Sequence, residues 1–146
     1  MAATHEEKTV SLPKRDLRGS RLRFLMMTSE PKEQVASILT QLASPWGSVD
    51  PLHDHWMPMG FLNPKEAKLG ECEQFLSVSD RRTVTEWWLK VPDGANTPNW
   101  DLVSTCKVEG RPGLILIEGK AHGGELKKDG KPPGDKANDK QIRLAI

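Results

Sequence analysis

Residues 100–122 read WDLVSTCKVEGRPGLILIEGKAH, and this stretch carries the strongest indication of the fold. The first part, 100–108, is rich in residues that favour β-strands. The segment EGRPG at 109–113 contains turn formers, and four apolar residues then open the segment 114–122. The pattern predicts a β-hairpin whose second strand is buried on both faces, as a central strand of a sheet would be.

Patterns outside the hairpin predict helices around it and connecting loops. In chain order, we first predict a short strand at 21–27 and a helix that follows the capping residue Ser29, opens with Pro31 and ends at Pro45. An ordered loop at 45–64 and a helix at 64–76 come next. Asp80 then caps a helix at 80–91, and a last helix begins at Asp135 or Asn138.

Length and composition indicate a single domain. The chain has 146 residues with 36% apolar content and five Trp, enough for a core of ordinary size. We expect residues 1–19 to be a flexible N-terminal arm, and residues 20–146 to form one α/β domain with a mixed β-sheet, in which a central hairpin is flanked by helices. Lys and Arg total 21 against 20 acidic residues. Any contact with nucleic acid must therefore come from a local basic patch.

The two cysteines and the apolar runs indicate the compartment. Cys72 and Cys106 show no CxxC spacing, so reduced thiols are expected. No apolar run reaches the length of a membrane span, and the N-terminal residues lack the apolar region of a signal peptide. We therefore expect a cytoplasmic protein without a membrane partner.

Three charged residues frame the hairpin: Asp101 at the entry of its first strand, and Glu118 and Lys120 at the exit of its second. Mg²⁺ is typically held by one or two protein carboxylates, with water and phosphate oxygens completing its shell. Residues two apart on a strand share a face, so Lys120 can orient or help deprotonate an attacking water beside Glu118. The sequence therefore predicts that Asp101 and Glu118 hold Mg²⁺ or Mn²⁺. Gly119 between the two charges is expected to leave the opposite face open and to offer its carbonyl as a further ligand.

The register of the hairpin decides whether these side chains share a face. Glu118 and Lys120 have even numbers, so Asp101 joins them only if it lies opposite an even-numbered residue, best Lys120 or His122. Paired positions must then sum to an odd number. The tightest interpretation of the predicted turn gives an even sum, so we predict a turn longer by one residue or a bulge at one of its glycines.

The segments Pro98-Asn99-Trp100-Asp101 and Ile117-Glu118-Gly119-Lys120 together resemble the signature of the PD-(D/E)xK nuclease superfamily, which includes restriction endonucleases and repair nucleases. The resemblance covers residues 97–125. It implies a restriction-endonuclease-like fold and a phosphodiesterase that uses Mg²⁺ or Mn²⁺ to cut nucleic acid, DNA rather than RNA. Asp101 and Glu118 would be its metal ligands and Lys120 its catalytic lysine. Asn99 follows the motif proline, so the acid comes three residues after Pro98 rather than directly after it.

The same resemblance implies two further features. Superfamily members place a glutamate on the helix before the sheet, and the candidates here are Glu66, Glu71, Glu73 and Glu86. In the resembling fold a helix and a further strand follow the Glu-x-Lys strand, whereas this sequence ends inside that helix. We therefore expect either a chain truncated after the last helix or an edge supplied by a second subunit, as in a homodimer.

Several other residues have a functional and a structural interpretation. His122 can contact a phosphate or be a hydrogen-bonded residue at the rim, and the Lys127, Lys128 and Lys131 group can follow a nucleic-acid backbone or be a solvated loop. His53 and His55 can bind zinc, but the flanking prolines favour a surface loop. The Trp87-Trp88 pair can stack on bases, but its helical spacing with Val84 and Val91 favours core packing.

Two other functions stay open. The chain can be a catalytically inactive member of the same fold, a binding or assembly module in which Asp101, Glu118 and Lys120 form an ion-pair network. It can also be a structural or oligomeric protein whose tryptophans form an interface. Convergence of the three charged side chains in an open cleft favours the enzyme, and exposure of the tryptophans as one patch favours the interface.

Overall fold

A computed structural model of the chain describes residues 13–14, 18–88 and 99–120, with the side chains of Trp87 and Trp88 outside that description. These ranges combine α-helices with antiparallel strands, which confirms the α/β composition. None of the helices within them is long and apolar enough to cross a membrane. The helices are α1 (Gly19–Thr28), α2 (Lys32–Ala43) and α3 (Val78–Trp88). The strands are β1 (Gly47–Ser48), β2 (Trp56–Met57), β3 (Ala67–Lys68), β4 (Asn99–Trp100), β5 (Leu102–Val108) and β6 (Arg111–Ile117).

Strand β5 is the centre of the main sheet. It pairs with β6 along its whole length on one edge, so β1 and β2 must share its other edge, end to end. The prediction that the second hairpin strand is buried on both faces is wrong, because Leu116 in β6 is 40% exposed, and among the described residues β6 pairs only with β5. A run of apolar residues favours a strand but does not establish that both of its faces are covered. All strand pairs among the described residues are antiparallel, in contrast to the predicted mixed sheet. Four side chains of β5 are buried: Leu102, Val103, Ser104 and Cys106.

A two-residue turn at Glu109 and Gly110 closes the hairpin. Their φ angles are 51° and 79°, as in a type I′ turn, which matches the twist of the flanking strands. Val108 pairs with Arg111, and the paired positions sum to an odd number along the whole hairpin. The odd register is therefore confirmed. The turn is shorter than predicted, because residues 111–113 belong to the second strand.

Strand β6 carries a proline close to the turn. The residues that flank a two-residue turn exchange both of their backbone hydrogen bonds, and the bonding pattern then alternates along the strands. By this alternation, the backbone groups of Pro112, Leu114 and Leu116 point away from β5. Pro112 thus costs the hairpin no hydrogen bond, and it removes one donor from the outer edge of β6.

Apolar side chains pack on both faces of the main sheet. On one face they come from α1, α2 and the 49–56 segment: Phe24, Met27, Val35, Ala36, Leu39, Val49 and Trp56. On the other face they come from β2, β3, β4 and the 69–76 segment: Met57, Ala67, Leu69, Cys72, Phe75, Leu76 and Trp100. The hairpin is therefore covered by helices on one face and by the β3–β4 pair and a turn-rich segment on the other.

The predicted strand at 21–27 is wrong, because these residues belong to helix α1. Leu25 and Thr28 are buried, three residues apart, while Met26 is 57% exposed. That spacing is helical, and Leu, Arg and Met are all good helix formers. The apparent period of two came from Leu22, Phe24 and Met26, which do not share a buried face.

The predicted helix at 64–76 is also wrong. Ala67 and Leu69 are buried at a spacing of two, and Gly70 follows them, so the chain forms β3 and then a series of turns. Helices α2 and α3 are confirmed, although neither of the predicted caps is correct. The Ser29 hydroxyl instead donates to the carbonyl of Leu25 at the end of α1.

Ser77, three residues before the predicted cap Asp80, is the capping residue of α3. Its hydroxyl accepts the Asp80 N–H at 3.1 Å and donates to the Asp80 carboxylate at 2.7 Å. Ser77 therefore caps the helix, and the Asp80 carboxylate orients the capping hydroxyl. The loop at 45–64 is ordered, as predicted, and contributes β1 and β2. Most of the predicted arm (1–12 and 15–17), the end of the predicted 80–91 helix and the predicted last helix lie outside the described residues.

The two cysteines are free thiols, and we expect them to react at different rates with a thiol reagent such as Ellman's reagent. Cys106 is 3% exposed, and burial raises the pKa of its thiol, with a smaller contribution from the negative charge of Asp54. Cys72 is half-buried. In the folded protein at pH 8, Cys72 should be labelled first, and Cys106 only after unfolding. Fast labelling that persists in Cys72→Ser would contradict this expectation.

Candidate functional site

Asp101, Glu118 and Lys120 lie at the end of the hairpin opposite the turn. Asp101 forms the bend between β4 and β5, and Glu118 directly follows β6. The last hairpin pair is Leu102 with Ile117, so continuing the same register by one residue sets Asp101 opposite Glu118. Residues directly opposite one another have Cβ atoms about 5 Å apart. The two acids therefore meet at one end of the sheet, with Glu118 in the position predicted for Lys120 or His122.

The Lys120 side chain is directed back to Glu118. Its Nζ donates to Glu118 Oε1 at 2.7 Å, and the two side chains are 34% and 48% exposed. The other carboxylate oxygen, Oε2, accepts no hydrogen bond from the described residues. Glu118 is therefore both paired and accessible.

The carboxylate of Asp101 joins the two strand ends to helix α1. Its Oδ2 accepts the backbone N–H of Gly119 at 2.7 Å, and its Oδ1 receives a longer, 3.4 Å hydrogen bond from the Ser20 hydroxyl. Asp101 thus has a structural role in holding the end of the hairpin. The oxygen with the weaker partner, Oδ1, retains most of its capacity to bind another group.

Gly119 lies directly beneath helix α1. A Cβ atom added at this position would lie 2.5 Å from Cε2 of Phe24 and 3.1 Å from the Ser20 Cβ. The expectation that Gly119 leaves the opposite face open is therefore wrong, because the first turns of α1 cover that face. The residue between Glu118 and Lys120 must be glycine for α1 to pack this closely.

A second strand pair meets the hairpin at Asp101. In the β3–β4 pair, Ala67 is opposite Trp100, so the same register continued by one residue sets Glu66 opposite Asp101. The Asn99 side-chain amide donates to Glu66 Oε2 at 3.5 Å. Asn99 and Asp101 are two residues apart and share a face, so the Glu66 carboxylate lies on the same face of the pair as Asp101. Asp101 is therefore the joint between two strand pairs, with Glu118 across one and Glu66 across the other.

Arg21, in the first turn of α1, binds Glu66. Its Nη1 forms an ion pair with Glu66 Oε1, and its Nη2 donates to the carbonyl of Pro64 at 2.9 Å. Their side chains are 22% and 28% exposed, so the pair is better shielded from water than the Lys120–Glu118 pair. The sequence pattern does not indicate Ser20 and Arg21 as residues of this site, because it predicts a strand that begins at Arg21.

Of the four upstream glutamates, Glu66 lies nearest to Asp101 in register. The other three are more than 60% exposed and pair with neighbouring cations of their own: Glu71 with Lys68, Glu73 with Arg81 and Glu86 with Arg82. Glu66 precedes strand β3 rather than lying on a helix, which departs from the arrangement that the resemblance implies.

The donor set at this end of the sheet suits a hard cation, because all the candidate ligands are oxygens. Among the residues that the structure describes, no three His, Cys, Asp or Glu side chains lie close enough to hold one ion. A metal here would therefore depend on Asp101 and Glu118, with the Gly119 carbonyl, water and substrate oxygens completing its shell. That number of carboxylates is within the usual range for Mg²⁺. The substrate candidates His122, Lys127 and Lys128 lie outside the described residues.

The remaining candidate residues lie elsewhere in the fold. A cavity of about 530 Å³ borders the turn end of the hairpin, between β5 and Ser77. It is roughly 20 Å from Asp101, the length of six strand residues. His53, at its rim, pairs with Asp50 at 3.0 Å within the 50–55 loop. Trp46 is 71% exposed whereas Trp56 is 4% exposed, so these tryptophans do not form one exposed patch.

The chain matches no protein-family model, and no curated protein and no solved structure is significantly similar to it. The geometry around Asp101 and the sequence resemblance are therefore the two grounds for assigning a function.

Proposed function

We propose that this protein is a metal-dependent nuclease with a restriction-endonuclease-like fold. The observation that carries the proposal is the pairing at the hairpin end, where Asp101 lies opposite Glu118 and Lys120 Nζ lies 2.7 Å from Glu118 Oε1. Two carboxylates and an ammonium group from adjacent strand ends are the groups that hydrolysis of a phosphodiester needs.

Each residue has a distinct role in this proposal. Asp101 and Glu118 would hold Mg²⁺ or Mn²⁺ together with the Gly119 carbonyl, and Glu66 would be the further acid. When bound, the ion would polarise a phosphodiester oxygen and lower the pKa of a water. The ammonium of Lys120 is placed to orient the attacking water and to offset the negative charge that develops on the phosphate. Lys120 can turn from Glu118 to the substrate, because the pair is partly exposed and weakly held.

A basic segment beside the site supports a polyanionic substrate, with DNA favoured. Helix α1 has no acidic residue in its first turn, and its N-cap residue Arg18 makes no side-chain capping bond. Backbone N–H groups at such a helix start attract phosphate. Arg18 and Arg23 are exposed on the same helix. Because the chain as a whole is nearly neutral, a contact with nucleic acid needs a local basic patch, and these two arginines supply one.

A catalytically inactive binding module is the second candidate. It is favoured by one observation, that every carboxylate at this end of the sheet already has a donor: Glu66 has Arg21, Glu118 has Lys120, and Asp101 has Gly119. An ion-pair network of this kind can hold strand ends together without any chemistry. A cleavage assay separates the two candidates.

We expect the purified protein to cleave plasmid DNA, or single-stranded DNA or RNA, in the presence of Mn²⁺. Lys120→Met should lower the rate about a hundredfold, because general acid–base and electrostatic assistance is lost. The matched control is Lys107→Met, which removes an exposed lysine from β5 near the turn. Equal rates for Lys120→Met and the parent would exclude the proposed role, and binding without cleavage of any substrate would favour the inactive module.

A further inference from the structure

We infer that Arg21 sets the metal affinity of the proposed site by neutralising Glu66, so that Arg21 is a positioning and charge-balancing residue rather than a catalytic one. The inference rests on the proposed function, because it concerns the same metal. It assigns a role to helix α1, whose first turn supplies both Ser20 and Arg21 to the joint at Asp101.

The contacts of Arg21 hold its guanidinium in one place. One nitrogen, Nη1, pairs with Glu66, while Nη2 is fixed by the Pro64 carbonyl at 2.9 Å. On the far side, Glu66 Oε2 receives the longer hydrogen bond from Asn99 at 3.5 Å. The Glu66 carboxylate is therefore directed to Arg21 at one oxygen and has only a weak partner at the other. It lies across from Asp101 but cannot add its full charge to that position while Arg21 holds it.

A charge count gives the sign of the effect. The joint brings together three carboxylates, Glu66, Asp101 and Glu118, and the two cations Arg21 and Lys120 pair with two of them. Removing the charge of Arg21 adds one net negative charge next to the metal position. With the water-like screening of a solvent-accessible site, a unit charge about 8 Å from a divalent cation changes the binding of that cation by a factor on the order of five. Arg21 is therefore expected to weaken metal binding.

This sign distinguishes charge balancing from a purely structural role. If Arg21 only anchored α1 to the β3 segment, its loss would loosen the joint, and metal affinity would fall or stay the same. If Arg21 balances Glu66, its loss tightens the metal even though it lowers the thermal stability of the metal-free protein. Affinity and stability then change in opposite directions.

The test is a titration of the full chain with Mn²⁺, followed by calorimetry or by the electron paramagnetic resonance signal of free Mn²⁺. Arg21→Met should bind Mn²⁺ on the order of five-fold more tightly than the parent, whereas Arg21→Lys should stay close to the parent because the charge is kept. The matched control is Arg82→Met, which removes the same charge from an exposed Arg–Glu pair on helix α3, with Glu86 as the partner. It should change the dissociation constant less than two-fold. Glu66→Gln should abolish the gain, since Arg21 acts through Glu66.

The outcomes separate this inference from the proposed function. If Asp101→Asn leaves Mn²⁺ binding unchanged, the metal site itself is wrong. If Asp101→Asn abolishes binding but Arg21→Met fails to tighten it, the site stands and the role of Arg21 is refuted. An Arg21→Met/Glu66→Gln double variant that binds Mn²⁺ as tightly as Arg21→Met alone would also overturn the inference, because the charge of Glu66 would then have no effect on the metal.

Discussion

Asp101→Asn is expected to lower the Mn²⁺-dependent cleavage rate about a thousandfold while leaving the fold nearly unchanged. An asparagine oxygen can still accept the Gly119 N–H that Asp101 accepts at 2.7 Å, so the hairpin end should stay closed. The negative charge that would hold the metal is lost. Stabilisation of a phosphoryl transition state by a bound ion is worth several kcal/mol, which corresponds to about three orders of magnitude in rate.

Two further variants make this expectation specific. Asp54→Asn is the matched control, because Asp54 also accepts two hydrogen bonds, from the Thr105 hydroxyl at 2.7 Å and the Asp50 N–H at 2.8 Å, but lies away from the joint. It should keep the parental rate. Asp101→Ala should lose both the rate and the strand-end hydrogen bond, and its melting temperature should fall. Cleavage by Asp101→Asn within tenfold of the parent would rule out the metal role.

Gly119→Ala is expected to destabilise the protein by about 1–3 kcal/mol, the usual cost of forcing a methyl group into a packed contact. The new Cβ would lie 2.5 Å from Cε2 of Phe24, so the Phe24 ring or the start of α1 must shift to make room for it. Because Ser20 and Arg21 travel with that helix, cleavage should fall as well. Urea unfolding measures the stability, and the plasmid assay measures the rate.

A double substitution tests the origin of that cost. In a Phe24→Ala background the contact with the ring is absent and only the 3.1 Å approach to the Ser20 Cβ remains, so Gly119→Ala should cost less than in the parent, and the two changes should be non-additive. Gly110→Ala is an informative contrast. No atom lies within 4 Å of a Cβ there, and its cost should come from the positive φ of 79°, so it should be unaffected by Phe24→Ala. Strictly additive effects of the changes at Gly119 and Phe24 would contradict the packing argument.

The sequence predicted the hairpin because that information is local, whereas its odd register followed from the hypothesis about the site and not from the turn. Alternating and apolar residues mark the strands, and the requirement that Asp101 share a face with Glu118 fixes the parity of the pairing. The turn was misplaced because Glu109 gives no sign of the positive φ that it adopts, 51°. Glu-Gly is a weaker turn signal than Asn-Gly or Asp-Gly. The two strands therefore extend further toward the turn than the sequence indicates, as far as the pair Val108 and Arg111.

The positions of Arg21 and Glu66 could not be predicted, because they depend on tertiary packing. Residues 21–27 alternate in polarity and are also good helix formers, and only burial against the sheet selects the helix. Likewise, nothing local shows that the chain around Ala67 pairs with β4, more than 30 residues later in the sequence. The sequence therefore predicts the pair of Asp101 and Glu118 at the hairpin end. It does not predict helix α1 and strand β3, which complete the site.

The proline in β6 has a consequence for any strand that is added to this sheet. Pro112 offers no N–H on the outer edge, whereas Leu114 and Leu116 each offer a donor and an acceptor there. An incoming strand, from a later part of this chain or from another molecule, would therefore form its best hydrogen bonds at the Leu116 end and its poorest near the turn. Its register would be biased towards Glu118, so that a strand added there would also place its own side chains beside Glu118.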